Sequence, residues 1–264
     1  MRVYPKTTGV TKTSDLPITK PVGSLVIYTD KLPNAIVNEL ITVYVERANG
    51  DNTELLTRVP LIDFMMISTF GNPAIQFRGT KNDGDFKSVA LCELTPNGAI
   101  YLNDNERIKV VLEGLNPANN YMIDGVEEPV TTNEIYKFDR KSALAGESAR
   151  KFNVLKYDTI CFTNPQAIEE IVLEYDNGRT TRHSYDELVS IANDTDPQFY
   201  TSEFGLTIQQ MGVASYYNGT NLLTLSSPDK LVFPLVGVRE MEIIKTESEL
   251  VQFTCCGDEL ASVN

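Results

Sequence analysis

At 264 residues, with a formal net charge of −13, 42% hydrophobic and 22% charged side chains, the chain has the make-up of an ordinary folded protein. Its acidity argues against a broad duplex-binding face, which needs clustered Lys and Arg, and no apolar run approaches the roughly 20 residues of a membrane-spanning helix. The stretch MRVYPKTTGVTKTSDLP lacks the apolar centre of a secretory signal, so the chain is expected to be soluble when made.

Residues 1–20 carry Pro5 and Pro17 amid Thr, Ser and Lys, and read as an extended N-terminal arm. Arg2, Lys6, Lys12 and Lys20 against a single Asp15 make that arm a basic candidate for assembly contacts. GSLVIYTD at 23–30 reads as a strand. NELITVYVER at 38–47 is apolar on both faces, as a central sandwich strand would be, and ANGDN closes it as a turn. In PLIDFMMIS, Leu61, Phe64, Met65 and Ser68 fall at helical spacing and predict one short helix. Strand-length runs then recur between turn residues: AIQFRG, SVALCEL, AIYL, RIKVVLEGL and EIYKFDR. Residues 141–152 read as a linker, with a second basic patch of Lys137, Arg140, Lys141, Arg150 and Lys151 around it.

Beyond it the plan recurs, with strands at KYDTICFT, EEIVLEYD, GLTIQQMG, NLLTLS, KLVFPLVGV, MEIIK and ELVQFTCC. Pro234 inside KLVFPLVGV implies an edge strand or a bulge. The recurrence is visible in the letters. PNAIVNELITVYVERANG at 33–50 is echoed by PQAIEEIVLEYDNG at 165–178, and VPLIDFMMIS at 59–68 by SYDELVSIAN at 184–193. NGAIYLNDNERIKVVLEGL at 97–115 is echoed by TNLLTLSSPDKLVFPLVGV at 220–238. Offsets of about 132, 125 and 123 residues, in unchanged order, indicate an internal duplication. The expected fold is all-β: two tandem eight-stranded jelly rolls, at 21–140 and 153–264, with few short helices. An immunoglobulin-like sandwich lacks its Trp here, since the chain has none.

Chemistry is sparse. The single histidine, His183 in RTTRHSYDE, cannot build a multi-histidine metal site, and no nucleophile elbow accompanies it. GESAR at 146–150 has Arg150 where the second glycine of such an elbow belongs. Phosphate-cradling loops and HExxH are missing, and 36 acidic residues make any proposed carboxylate pair uninformative. The chain is therefore read as not an enzyme, without catalytic residues or cofactor. Acidic loops at 82–85, 103–106 and 193–196 offer oxygen ligands for a structural calcium, though none continues into a twelve-residue calcium loop. Tyr216 and Tyr217 in SYYNGT could stack on a sugar, but adjacent strand residues point to opposite faces. Cys92 and Cys161 sit in apolar runs and Cys255 and Cys256 are adjacent, so all four read as reduced thiols.

In its duplicated segments, PNAIVNELITVYVERANG and PQAIEEIVLEYDNG, the chain resembles the double jelly-roll major capsid proteins of tailless, icosahedral, membrane-containing bacterial viruses, the corticoviruses among them. That resemblance implies a homotrimer whose six jelly rolls form a pseudo-hexagonal tile, and many tiles closing an icosahedral shell in the virion. Neighbouring capsomers, a vertex or penton protein, and inner-membrane lipid or membrane-associated virion proteins are the implied partners, with no sequence-specific nucleic acid. The basic arm would then reach lipid or clasp a neighbour. Two rival readings remain open: a spike or adhesin-type β-sandwich that binds receptors or carbohydrate, and a jelly-roll hydrolase using a carboxylate pair.

Overall fold

The computed structural model of the chain describes residues 1–31, 35–70, 86–195, 226–227 and 230–261. The strands expected at AIQFRG and GLTIQQMG, nearly all of that at NLLTLS, the acidic loop at 82–85, and Tyr216 and Tyr217 lie outside the described residues. The chain divides into two compact units. Unit 1 comprises Met1–Thr69, Pro73–Phe138 and Asp258–Asn264; unit 2 comprises Phe70–Asn72 and Asp139–Gly257.

Unit 1 runs through β1 (Arg2–Thr7), β2 (Leu16–Ile18), β3 (Val22–Thr29), β4 (Leu40–Glu46) and β5 (Asn52–Pro60), then α1 (Leu61–Thr69). It continues with β6 (Ser88–Glu93), β7 (Ala99–Ile100), β8 (Arg107–Glu113), β9 (Tyr121–Glu127) and β10 (Thr131–Thr132). One sheet has the order β1-β9-β3-β6, and β2, β8, β4 and β5 lie side by side in the other. β7 and β10 form a small parallel ribbon, Ala99 opposite Thr131. β11 (Glu134–Ala143) starts in unit 1, where Phe138 pairs with Leu56, and continues into unit 2.

Unit 2 follows with β12 (Ala149–Asn153), β13 (Thr159–Thr163), β14 (Ile168–Tyr175), β15 (Thr180–Ser184) and α2 (Tyr185–Thr195). Then come β16 (Ser226–Ser227), β17 (Lys230–Pro234), β18 (Val238–Lys245) and β19 (Val251–Leu260). One sheet places β11, β19, β13 and β17 in order, and the other is β12-β18-β14-β15. Replacing β1 by β11, β2 by β12, β3 by β13, β4 by β14, β5 by β15, β6 by β17, β8 by β18 and β9 by β19 turns one unit's strand order into the other's. Each unit thus repeats one crossing pattern between two sheets, that of a jelly roll, and the fold is all-β, with two short α-helices among the described residues.

Alternation explains the packing. In β4, Ile41, Val43 and Val45 are buried while the residues between them are half-exposed. In unit 2 the core joins both sheets: Phe162 and Phe253 from one meet Ile171, Met241 and Ile243 from the other, with Leu188 and Ala192 of α2. α2 begins with a reciprocal cap, for the Ser184 N–H donates to Glu187 Oε2 at 2.9 Å and the Glu187 N–H to Ser184 Oγ at 3.4 Å. α1 buries every residue except Ser68, Asp63 included, so its apolar surface is continuous and not a stripe. All four cysteines are buried thiols.

Three expectations are corrected. Residues 1–20 are not a loose arm: β1 pairs with β9 and β2 with β8, burying Tyr4, Thr13 and Ile18. Extended, proline-containing chain is what an edge strand needs, and composition cannot say whether a partner awaits it. Residues 141–152 are not a plain linker either, since β11 and β12 occupy most of them around a turn at Gly146. The third echo is displaced by one strand. β8 lies between β4 and β2, so its counterpart is β18, whereas the aligned β17 corresponds to β6. Short buried strands carry similar apolar runs, and periodicity cannot tell neighbours apart.

Candidate assembly surfaces

The four cations expected to form a basic arm are all engaged within unit 1. Arg2 Nε lies 2.6 Å from Asp124 Oδ1, Lys12 Nζ 2.6 Å from Glu113 Oε1, and Lys20 Nζ 2.9 Å from Glu127 Oε2. Lys6 Nζ stands 5.4 Å from the centre of the Phe86 ring. The Lys12 contact, with Arg58 behind it, holds the Glu113 carboxyl below the usual carboxylate range, and Lys20 does the same for Glu127. These pairs are exposed and each stabilises little. Their consequence is electrostatic, because the basic charge read in the sequence is largely cancelled where it sits.

The second basic patch fares alike. Lys137 donates to Glu54 O at 2.6 Å, and Arg140 to Gln252 Oε1 at 2.9 Å. Lys141 lies 4.7 Å from the Tyr157 ring centre, and Arg150 5.3 Å from that of Phe152. Lys151 bridges Glu240 and Glu174, which raise its pKa.

The turn between β4 and β5 is built twice. The Gly50 N–H donates to Arg47 O at 3.0 Å and the Arg47 N–H to Asp51 O at 2.9 Å. In the second copy the Gly178 N–H donates to Tyr175 O and the Tyr175 N–H to Arg179 O, at 2.9 and 2.8 Å. Asn49 Oδ1 accepts from the Asp51 N–H and Asn177 Oδ1 from the Arg179 N–H, both at 3.0 Å. Gly50 and Gly178 have φ of 89° and 80°, the left-handed position that closes a three-residue hairpin loop. The surroundings then diverge. In unit 1, buried Arg47 reaches Glu106 Oε2 at 2.9 Å, Thr53 Oγ1 at 3.1 Å and Tyr101 O at 3.2 Å. A polar cavity of about 210 Å³ lies there, lined by Arg47, Asn49, Asp51, Asn103 and Glu106 among others. Burial opposes charge on Glu106. The Asn103 N–H, the Arg47 guanidinium and the Ala48 N–H outweigh it and hold the carboxyl below its ordinary range. The one acidic loop expected to offer calcium ligands that is fully described, 103–106, thus directs its glutamate inward to protein donors. In unit 2, Tyr175 replaces Arg47.

Two further buried charges escaped the sequence reading. Glu39 Oε1 accepts from Lys31 Nζ at 2.5 Å and from the Tyr121 hydroxyl at 2.7 Å. Burial, then that bond, pushes the Tyr121 hydroxyl well above the usual tyrosine range. Lys245, 2% exposed, gives its ammonium to the carbonyls of Glu249 at 2.5 Å and Thr246 at 3.2 Å in the turn before β19. A lysine ending the apolar strand MEIIK was the available signal. His183 lies on β15 opposite Ile171, its Nε2 2.9 Å from Thr181 Oγ1 and its Nδ1 3.9 Å from Glu187 Oε2. It is a strand residue.

Several aliphatic side chains are exposed at turn tips. In unit 2, Leu155 (55% exposed) and Val236 (73%) project from turns tied together by the Leu235 N–H to Asp158 O bond at 2.7 Å. Leu144 and Leu250 are exposed on turns joined by the Gly146 N–H to Glu247 O bond at 2.8 Å.

The fold and these surfaces define the class: a tandem jelly-roll β-protein whose two basic patches are engaged by groups of their own unit. No protein-family model matches the chain, and no curated protein matches it. Among solved structures, it is similar to the major capsid protein P2 from bacteriophage PM2 at 9% identity and a TM-score of 0.43, covering 100% of this chain and 99% of that one. The PBSX exported protein XepA aligns at 11% identity and a TM-score of 0.23, over 97% and 86%. Likenesses of this degree carry no weight for function.

Proposed function

We propose that this chain is a viral major capsid protein, which trimerises into pseudo-hexameric capsomers and assembles an icosahedral shell around an internal membrane. The observation that supports this most is one jelly-roll strand order used twice in tandem. Two similar but unequal units give threefold assemblies a near-sixfold outline, which tiles a closed surface; a monomeric binder gains nothing of that kind. The internally paired cations and net acidity suit a shell separated from its genome by lipid. Exposed aliphatic turn tips suit contacts with neighbouring capsomers, a vertex protein or membrane-associated virion proteins. On this reading the chain resides in the virion and has no catalytic task.

Light scattering coupled to size exclusion, followed by negative-stain imaging of the same fraction, tests the proposal. A species of three chain masses with a hexagonal outline is expected. A monomer that binds glycans would replace this reading with the adhesin one.

A further inference from the structure

Independently of any assembly role, we propose that Asn97 is a self-modifying position, converted by water to aspartate and isoaspartate through a cyclic imide, while the fold protects Asn49 and Asn177. All three precede glycine, where no side chain hinders the following nitrogen; a fourth such pair, Asn218–Gly219, lies outside the described residues. In the reaction the Gly98 nitrogen attacks Asn97 Cγ and loses its proton, ammonia leaves, and a five-membered imide closes. Water then opens either carbonyl, leaving an acid in place of the amide. No oxidant or cofactor is needed.

The three sites differ in what must be surrendered first. At Asn49 the attacking N–H is committed to Arg47 O at 3.0 Å, and the side-chain oxygen accepts from Asp51 at 3.0 Å. At Asn177 the corresponding bonds are 2.9 and 3.0 Å. Both must break before nitrogen and Cγ can meet. Asn97 is exposed; among the described residues its side chain has no hydrogen-bond partner, and the Gly98 N–H has no acceptor. With two bonds at stake, each slowing the step about three- to fivefold, the two hairpin sites should lag Asn97 by about tenfold or more.

Conversion at Asn97 has a structural cost. The isoaspartate product routes the backbone through the former side chain and lengthens it just before Gly98. There is no slack there: a Cβ on Gly98 would lie 2.4 Å from Val130 O, and one on Gly23 2.1 Å from Gly98 O. Thr95 Oγ1 also donates to Gly98 O at 2.6 Å, and the Ala99 N–H to Val130 O at 2.8 Å. The longer chain cannot keep both bonds, so the β7–β10 ribbon should loosen.

The test incubates the folded full chain in mildly alkaline buffer and follows tryptic peptides by mass spectrometry that separates aspartate from isoaspartate. Ser88–Arg107 should gain acid about tenfold or more ahead of Ala48–Arg58 and Tyr157–Arg179, with all three levelling in concentrated urea. Asn97→Gln should abolish the early product in Ser88–Arg107, and amide exchange at Ala99 should quicken as isoaspartate accumulates. Equal native rates at the three sites, or an unchanged Asn97 in the folded chain, would overturn the proposal.

Discussion

Arg47 Nη1 and Glu106 Oε2 meet 2.9 Å apart inside unit 1, joining the β4–β5 hairpin to the loop that precedes β8. Both side chains are nearly inaccessible, at 7% and 4%. Removing one leaves the other charged and buried, so Arg47→Ala should cost about 3 kcal/mol or more in urea unfolding. The double replacement Arg47→Met with Glu106→Leu should recover most of that loss, because it leaves no lone charge. Acid adds a second signature. The folded pKa of Glu106 is depressed, so its contribution is present above the unfolded value of about 4.3 and lost as pH falls through the folded value. Between those two values the native protein should weaken on acidification more than Glu106→Gln does. An additive double mutant, or equal acid profiles, would show that the pair is not coupled.

The amino-terminal strand is structural. Deleting residues 1–20 strips β9 and β8 of partners and removes Tyr4, Thr13 and Ile18 from the interior. Circular dichroism of the truncated chain should show loss of cooperative unfolding, not a folded protein merely unable to assemble. Ile18→Ala, a milder probe of the same seat, should cost about 2–5 kcal/mol. Lys12→Gln and Lys20→Gln should each leave the unfolding midpoint nearly unchanged, since both ammonium groups sit in water-screened surface pairs.

Glycines separate backbone strain from crowding. A Cβ on Gly50 or Gly178 meets nothing within 4 Å, so alanine there pays only for its positive φ, about 1 kcal/mol, and equally in the two units. Gly257 has no such latitude: its Cβ would fall 1.9 Å from Lys156 O. Gly257→Ala should lower the thermal midpoint several times further than either hairpin variant; comparable shifts in all three would contradict this packing.

Thiol chemistry reports the core. Cys92, Cys161 and Cys255 are 0% exposed and Cys256 6%. Burial pushes the Cys255 thiol up to about 12 and the Cys92 thiol higher still, far from the reactive thiolate at neutral pH. A maleimide probe should label the native protein at a rate set by global unfolding and all four positions at once in denaturant. Prompt labelling of one cysteine in the native state would place it outside the core described here.

The features legible in the sequence were local. Asn-Gly closing a strand, helical spacing in PLIDFMMIS and a central strand in NELITVYVER each depend on a few adjacent residues, and each appears where expected. Features that failed were non-local. β1 reads as a loose arm until β9 is known to lie beside it, over a hundred positions away in the chain. Arg47 finds Glu106 across 59 residues of separation, and no spacing rule announces such a partner.

The sequence by itself therefore determined the all-β class and the hairpin-and-helix segment built twice, because strand period and turn chemistry are written in neighbouring letters. Only the tertiary structure decided which strand lies beside which, that the N-terminal cations already have partners within unit 1 (acids for Arg2, Lys12 and Lys20, the Phe86 ring for Lys6), and which strand is the true twin of β8. Sheet pairing and charge neutralisation join residues far apart in the chain, so both come into being only when the backbone closes on itself.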